Sequence, residues 1–535
     1  MQMDAAALCR RLDQLKQARG TFDNTWQRVA DYMMPSREFT RKSMPGSPRT
    51  ARLIFDTTPV LALEQLAGAL HGMLTSPALR WFALRPNNSA MLDDDAVRGW
   101  FETATDAMYA VFTGSDAGFD TALHEVYLDL AGMGNGVLYM PDRGRRGPGF
   151  QARPLAECFF AENAEGRIDT VIRSYTMPAR EVVRLWEKTV PRTVGERAEK
   201  EPDAPSDILH GVYPVPGAEG FYECYALADQ KVTLESGRYD TFPYAVPRWM
   251  KRSGEIYGSG PGMSVLPGVM MLNKLHEVML RGASRAVDPT ILLPDDGFLS
   301  SPTTKPGSFL YFRSNAMGMD RIQALPSGQP QVAYQLIEMT QEMVRKGFYV
   351  DWMNLPQQPN MTATEVLQRR DEMLRLLGPM VARVTQELLS PVIARTFHVM
   401  ARNGMLPPLP EKLAGHGWQV EYLSPLATAQ RASDAEAVMR WFGALAQMAQ
   451  VDPSVVSVVA TEDAARYLAN RFNAPASVVR SAEEMQALRE QQAQVQAQQQ
   501  EMAAAQAAAK VASDGAGALA SLAGMAGGQA QQGAV

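Results

Sequence analysis

Side chains that could act as general acids, general bases or metal ligands are scattered through this chain. The six histidines are His71, His124, His210, His276, His398 and His416, and none belongs to an HExxH or HxH pattern. Adjacent acids such as Asp295 and Asp296 fall in turn-like contexts, where carboxylates commonly cap helices or face solvent. Ser259 stands between glycines, but the spacing is wrong for a nucleophile elbow. We therefore expect no catalytic centre, no metal and no cofactor, and we expect that the protein is not an enzyme.

A glycine cluster at Gly132, Gly134 and Gly136 invites a nucleotide-binding interpretation. A dinucleotide loop follows a strand and opens a helix, whereas these glycines follow a predicted helix and open a predicted strand. The chain also contains no GxxxxGKS or GxxxxGKT phosphate loop. The cluster instead predicts a tight helix-to-strand turn.

A loop without charged side chains is the most unusual polar segment. Its residues are Leu355, Pro356, Gln357, Gln358, Pro359, Asn360 and Met361. It offers amides and apolar groups but no cation that would bind a phosphate backbone. Cations lie near both of its ends, at Arg345, Lys346, Arg369 and Arg370. An ordinary surface loop remains an equal alternative, and ion pairing on a helix surface is favoured for Arg369.

Composition limits the classes of partner. The chain has 535 residues, a formal net charge of -6 and a pI near 5.7, which argues against tight, general binding to nucleic acid. An acidic wall could still let DNA slide past, because it leaves phosphates unpaired. The three cysteines are far apart in sequence and are expected to be buried free thiols. No apolar run is long enough for a transmembrane helix, and no signal peptide is recognised, so we expect the protein to stay where it is made.

Residues 1–255 are predicted to form an α+β body. Helices are expected at residues 4–34, 59–75, 93–111 and 119–131, with Thr58 as a capping residue and Pro59 at the first helical position. Residues 137–250 are predicted to be β-rich and interrupted by one helix at 179–188. The charged segment Pro191–Pro205 is predicted to be a surface loop.

Two long helices separated by a small β-rich insert are predicted next. After a flexible joint at Glu255–Gly262, they span residues 263–287 and 331–351, with short strands expected between them. The first helix carries one polar stripe, made of Asn273, Lys274, Glu277, Arg281 and Arg285. The rest of its surface is widely apolar, which favours packing against the second helix and against a neighbouring subunit.

The C-terminal third is predicted to be mainly helical. Thr362 and Glu365 match a capping box at the start of a long helix, which is expected to bend at Gly378-Pro379 and Ser390-Pro391 and to end at Asn403-Gly404. A strand at 417–426 and several helices between 429 and 490 follow. The Gln/Ala-rich tail is expected to be helical to about residue 512 and disordered beyond it.

Five motifs occur in a characteristic order. They are Asp56-Thr-Thr-Pro with its leucine helix and Trp81-Phe82, the turn Gly132–Tyr139, Tyr257-Gly-Ser-Gly-Pro, Met361-Thr-Ala-Thr-Glu-Val366 and Tyr422-Leu-Ser-Pro-Leu-Ala427. Over residues 5–490 this order resembles the head-to-tail connecting (portal) proteins of short-tailed, T7-like bacteriophages. The Gln/Ala-rich tail is less typical of that family.

The resemblance implies a mainly helical α+β portal fold that assembles as a dodecameric ring. The implied parts are a wing (1–255 with 362–427), stem helices (256–290 and 327–354), a β-rich clip (291–326), a tunnel loop (355–361), a helical crown (428–483) and the tail (484–535). The stripe on the first stem helix would either line the bore or face capsid protein. Arg345, Lys346 and Arg370 would form sparse basic rings near the bore.

The resemblance also implies a role and its partners. Double-stranded DNA would be packaged and ejected through the channel at one capsid vertex, in the virion, after assembly in the host cytoplasm. The terminase motor, a tail adaptor, the major capsid protein and scaffolding protein would bind the ring, with internal core or ejection proteins as further candidates at the crown. The alternatives are a structural scaffold or tail adaptor without a channel, and a phosphotransfer enzyme or nuclease, which the missing phosphate loop and metal ligands disfavour.

Overall fold

A computed structural model gives the structure of most of the chain. It describes residues 3–35, 37, 54–88, 91, 94–294, 305–312, 323–324, 330–353, 377–413, 415, 417–423, 425–449, 459–471, 485, 489–492, 494–500 and 502. The contacts divide the chain into two units. The first comprises Met1–Leu84, Glu102–Pro408 and Gln419–Ala427, and the second comprises Arg85–Phe101, Leu409–Trp418 and Thr428–Val535.

The first unit begins with two long helices. Helix α1 (Ala5–Met33) is capped by Asp4, whose carboxylate accepts a hydrogen bond of 2.7 Å from the amide of Ala7. Helix α2 (Thr58–Leu74) has a proline in its first turn, as predicted, but Thr58 is not its cap. Instead, the carboxylate of Asp56, two residues earlier in the chain, accepts a hydrogen bond of 2.7 Å from the Thr58 amide.

Two further helices and a strand follow, close to their predicted positions. Strand β1 (Phe82–Pro86) precedes helices α3 (Asp95–Thr113) and α4 (Phe119–Met133). The glycine cluster ends α4 as predicted, because Gly134 adopts a left-handed φ of 78° and strand β2 (Leu138–Tyr139) begins four residues later. Strand β3 (Gln151–Ala152) pairs with β2.

A five-stranded antiparallel sheet forms the β-rich part of the body. Its strands are β4 (Cys158–Glu162), β5 (Ile168–Pro178), β6 (Pro205–Pro214), β7 (Phe221–Leu227) and β8 (Val232–Tyr239), in that order. Adjacent residues of β6 point to opposite faces. Leu209 packs with Leu8 and Leu12 of α1, while Ile208 packs with helix α5 (Ala179–Trp186). The sheet is therefore covered on two faces.

The prediction for Pro191–Pro205 was wrong. Residues Arg192–Lys200 form helix α6, and β6 begins at Pro205. Val194 is the buried residue of this helix and packs in one cluster with Val182 and Leu234, so one apolar side chain anchors a segment whose charged residues favour helix. Two helices, not one, therefore interrupt the strands. Of the cysteines, Cys158 and Cys224 are buried free thiols, whereas Cys9 is half-buried.

The predicted helix–insert–helix arrangement is present. After strand β9 (Tyr244–Ala245) come helix α7 (Pro261–Val287) and, later, helices α8 (Pro330–Gly347) and α9 (Val350–Met353). Between α7 and α8, strand β10 (Ile291–Pro294) pairs in parallel with β11 (Phe309–Phe312) and antiparallel with β12 (Gln323–Ala324). Residues 295–304, between β10 and β11, lie outside the described residues.

The long helix is described from residue 377. The helical conformation continues through Gly378-Pro379, and the bend predicted there stays a prediction. A π-helical turn at Thr385–Leu389 precedes the α-helix Ser390–Arg402, which ends at Gly404 with a φ of 67°. The predicted capping box lies outside the described residues. Strand β13 (Trp418–Tyr422) then pairs with β1.

The second unit contains most of the helix Pro425–Ala449 and all of the helix Thr461–Arg471. Within this unit, the amide of Asn87 donates to the Gly417 carbonyl at 3.1 Å, and Lys412 pairs with Asp94. Most of the Gln/Ala-rich tail lies outside the described residues, although 494–500 is helical as predicted.

Candidate functional site

In the helical hairpin of α7 and α8, a side chain of each helix packs against a glycine of the other. A Cβ atom on Gly268 would lie 2.6 Å from the Met343 side chain, and one on Gly347 would lie 2.1 Å from Val265. Glycine at these two positions therefore lets the helices pack closely. The contacts also show that the helices are antiparallel, since residue numbers rise along α7 as they fall along α8.

The hairpin projects beyond the part of α7 that is packed on the body. The buried residues of α7 all lie between Pro261 and Asn273. From Lys274 to Asp288, every described residue is at least partly exposed, including the apolar Val278 (54% exposed) and Val287 (87%). On α8, Met339 is 67% exposed. Two helices alone cannot cover such side chains, so this region has the character of an interaction surface.

The residues of the polar stripe predicted on α7 differ in exposure: Asn273 is buried in the body, whereas the cations of the stripe are exposed. Asn273 is buried, and its side-chain oxygen accepts hydrogen bonds from the amides of Phe55 (2.8 Å) and Asp56 (3.3 Å). Asn273 therefore faces neither a bore nor solvent. Lys274 and Arg281 are exposed and pair with Glu277 at 2.9 and 2.5 Å, respectively. Arg285 is exposed near the end of the helix.

A buried polar cluster around Asp56 joins the start of α2 to the hairpin. One Asp56 oxygen accepts the Gln341 side-chain amide at 2.7 Å and lies 3.0 Å from Nδ1 of His276. Burial by itself raises the pKa of Asp56, but hydrogen bonds from Thr58 and Gln341 bring that pKa below its ordinary value. The sequence showed Asp56 as part of a helix start, but gave no signal for partners more than two hundred residues away.

The segment before α7 is a packed junction rather than the flexible joint predicted for Glu255–Gly262. The Asn135 side chain donates to the Gly258 carbonyl at 3.0 Å and accepts the Gly258 amide at 2.7 Å. A Cβ on Gly134 would lie 2.3 Å from the Gly260 amide nitrogen. The glycines predicted to give mobility instead allow the two chain segments to touch.

Arg248 joins this junction to the sheet and to the long helix. Its buried guanidinium donates to Glu387 on the π-helical turn (2.7 Å), to Glu162 on β4 (2.9 Å) and to the carbonyl of Ile256 (3.1 Å). Burial lowers the pKa of Arg248, but its hydrogen bonds to Glu387 and Glu162 outweigh this effect and raise it. Glu387 lies within the π-helical turn at Thr385–Leu389, so this turn is tied to the junction by the ion pair.

Together, the body, the packed junction and the projecting hairpin occur in a chain that matches a known family almost throughout. The family model described as "Bacteriophage head to tail connecting protein" matches residues 5–479. The chain belongs to this head-to-tail connecting family. The resemblance predicted from the five motifs is thereby confirmed.

Two curated relatives of this connecting protein cover most of its length. It is 28% identical over 504 residues to a "Probable portal protein" of Bordetella phage BPP-1, with 85% of each chain covered. It is 26% identical over 516 residues to a "Portal protein" of Salmonella phage epsilon15, with 91% of this chain and 90% of that protein covered.

The remaining predicted site residues of the connecting protein are only partly described. Arg345 and Lys346 are exposed at the end of α8, and Lys346 pairs with Glu342 at 2.6 Å, which raises the pKa of Lys346. The loop 355–361 and Arg370 lie outside the described residues. Among the residues that are described, no helix is long and apolar enough to span a membrane, and no group of three His, Cys, Asp or Glu side chains could hold a metal.

Proposed function

We propose that this connecting protein is a portal protein, whose copies form a dodecameric ring at one capsid vertex. Double-stranded DNA would pass through the ring during packaging and ejection. The observation that carries the proposal is the projecting hairpin with exposed apolar side chains, in a chain that the connecting family matches over residues 5–479. Both curated relatives named above carry the name portal protein, and each match covers at least 85% of both chains.

The described elements support an assignment of parts to this ring. The α+β body (1–255) with residues 362–427 would be the wing, and residues 256–290 and 327–354, which include α7 and α8, would be the stem. The small sheet β10–β12 would be the centre of the clip (291–326). Residues 428–483 would form the crown, extended by the tail from residue 484. The packed junction at Gly258 would then fix the direction in which the stem leaves the wing.

The proposed role is mechanical and not catalytic. The clip would present the surface for the terminase motor during packaging and for the tail adaptor afterwards. The wing and crown would meet capsid, scaffolding and internal core proteins. The neutral tunnel loop (355–361) would let phosphates pass without binding them, because it offers no fixed cation. The ring would be assembled in the host cytoplasm and retained in the virion.

Electron microscopy of the purified full-length protein tests the proposal. The protein would be imaged over a range of concentrations, with and without the scaffolding protein of the same virus. Portal function predicts closed rings with a central hole wide enough for a DNA duplex. Protein that stays monomeric under all these conditions contradicts the proposal, and a solid particle without a hole would favour a scaffold or tail adaptor.

A further inference from the structure

The outer surface of α7 is a stripe that combines apolar and basic side chains. Gly268 marks the side of α7 that packs on α8, and Leu266 and Val269 mark the side that is buried in the body. At about 100° per residue, a third side of the helix faces away from both. That side carries Met271, Lys274, Val278 and Arg281, all of them exposed. Lys274 and Arg281 share one carboxylate of their own helix, that of Glu277, so the side as a whole has an excess of positive charge.

The outer surface of α8 is a stripe of two exposed acids and a methionine, with the cation Lys346 one turn further along. Ile337, Val344 and Phe348 are buried and mark the inner side of this helix. The opposite side carries Glu338, Met339 and Glu342, all exposed. Glu342 pairs with Lys346 on its own helix, whereas Glu338 has no ion-pair partner among the residues that the structure describes.

The two stripes match in height along the hairpin. Because Gly268 lies opposite Met343 and the helices are antiparallel, each step forward on α7 corresponds to one step back on α8. Lys274, six residues beyond Gly268, is therefore level with Ile337, six residues before Met343, and next to Glu338. By the same step, Met271 is level with Thr340, next to Met339. Lys274 on α7 therefore lies at nearly the same height as Glu338 on α8, and Met271 on α7 lies at nearly the same height as Met339 on α8.

We propose that the α7 stripe of one copy binds the α8 stripe of the next copy, with Lys274 of one meeting Glu338 of the other. Two different, complementary surfaces on one molecule make a heterologous contact, which closes into a ring when the rotation permits. In a ring whose symmetry axis runs parallel to the hairpin, residues at the same height on neighbouring copies lie side by side. The α7 and α8 stripes match each other at equal heights and therefore suit such a ring. Methionine side chains suit this contact because they adapt to small shifts between subunits. The inference rests on the proposed ring and specifies the faces that join its copies.

Charge reversal tests the contact in the full-length protein. Lys274→Glu and Glu338→Lys, each alone, should lower the fraction of protein that sediments as rings about tenfold at equal concentration, since the like-charge pair repeats at every interface. The double variant should restore ring formation. Arg192→Glu makes the same charge change at an exposed position on α6 and should leave ring formation unchanged.

Cysteine crosslinking supplies a second measurement that does not depend on charge. Met271→Cys and Met339→Cys should give no dimer when each is oxidised alone, but a disulfide-linked dimer when the two are mixed before assembly, with the wild-type protein as the control for Cys9. A dimer of Met271→Cys with itself would overturn the heterologous contact. Single charge reversals that form rings as well as wild type would overturn this interface and leave portal function standing. Absence of rings in the wild type would overturn both proposals.

Discussion

At the scale of single residues, Arg248 connects three segments of the body through one guanidinium. Its partners lie on β4, at Ile256 in the junction before α7, and on the π-helical turn of the long helix. Lys251 adds a second cation to Glu162 at 2.7 Å. A buried ion pair adds little net stability relative to an apolar contact, but removing one member leaves the other charge buried and unpaired. Arg248 therefore matters most for the relative placement of these segments.

Replacing Arg248 with alanine should destabilise the protein by about 3–5 kcal/mol, because Glu387 and Glu162 would each lose their buried guanidinium partner and keep only Arg383 and Lys251, respectively. Urea unfolding monitored by tryptophan fluorescence measures the change. Arg192→Ala removes an arginine that is 94% exposed and should change stability by less than about 0.5 kcal/mol. Equal effects of the two substitutions would show that the Arg248 cluster is not required for stability.

Asp129 on α4 makes stability depend on pH. Burial raises its pKa to about 7, although Arg37, 3.2 Å away, opposes the shift, and Glu125 adds to it. The unfolded carboxyl has a pKa of about 3.9. The pKa of Asp129 is higher in the folded protein than in the unfolded chain. The stabilising contribution of this carboxyl is therefore fully present below about pH 4 and is lost as the pH rises to about 7.

The substitution Asp129→Asn should remove the fall in folding stability that ionisation of Asp129 causes as the pH rises. Relative to wild type, the variant should gain on the order of 1–3 kcal/mol of stability between pH 5 and pH 8, after allowing for the lost pairing with Arg37. Urea unfolding of both proteins at the two pH values gives the comparison. The same difference between variant and wild type at both pH values would contradict the assignment of the raised pKa to Asp129.

At the scale of elements, the junction between α4 and α7 sets the direction of the hairpin. Gly134 ends α4 in a left-handed conformation and touches the backbone of Ser259 and Gly260 immediately before α7. Asn135 fixes the same contact through two hydrogen bonds to Gly258. Any side chain at residue 134 would push the start of α7 away from the body.

Gly134→Ala should therefore cost about 3 kcal/mol or more, since it combines strain at positive φ with displacement of backbone atoms. Gly20→Ala provides the matched control, because a Cβ at Gly20 in α1 meets no atom within 4 Å and should stabilise the helix by about 0.5–1 kcal/mol. Thermal unfolding should show a lower melting temperature for Gly134→Ala and a higher one for Gly20→Ala than for the wild-type protein. A Gly134→Ala protein as stable as wild type would contradict the packed junction.

Local patterns were enough to predict most helices, the hairpin and its insert. Helical periodicity located both limits of α1 and α7, and the start of α8, to within about two residues, because each has a continuous apolar face, but α8 ends at Gly347, before the predicted limit at residue 351. Periodicity failed at α6, where a charged segment has few apolar residues. It also could not show that Asn273 is buried or that Glu255–Gly262 is packed. Those properties depend on partners distant in sequence, at Phe55 and Asn135.

At the scale of the whole molecule, the distribution of charge agrees with the proposed channel. The net charge of -6 disfavours general adhesion to DNA. On the projecting hairpin, in contrast, the proposed contact between copies places the exposed Lys274 of α7 against the exposed Glu338 of α8. In the proposed ring, charged side chains on the hairpin serve assembly, and the uncharged loop 355–361 serves the passage of DNA. Substitutions in one region can therefore test one function without changing the other.

Replacing Gln357 and Gln358 with lysine tests the passage function without touching the proposed subunit contact. Two new cations in each loop would attract DNA phosphates, so packaging should slow or stall while rings still form. Raising the salt concentration should partly restore the packaging rate, because salt screens the added attraction. The matched control is alanine at the same two positions, which shortens the side chains without adding charge and should package at a rate close to that of wild type. Packaging yield from capsids assembled with each variant is the measurement, and a normal yield with the lysine variant would count against residues 355–361 as the tunnel loop.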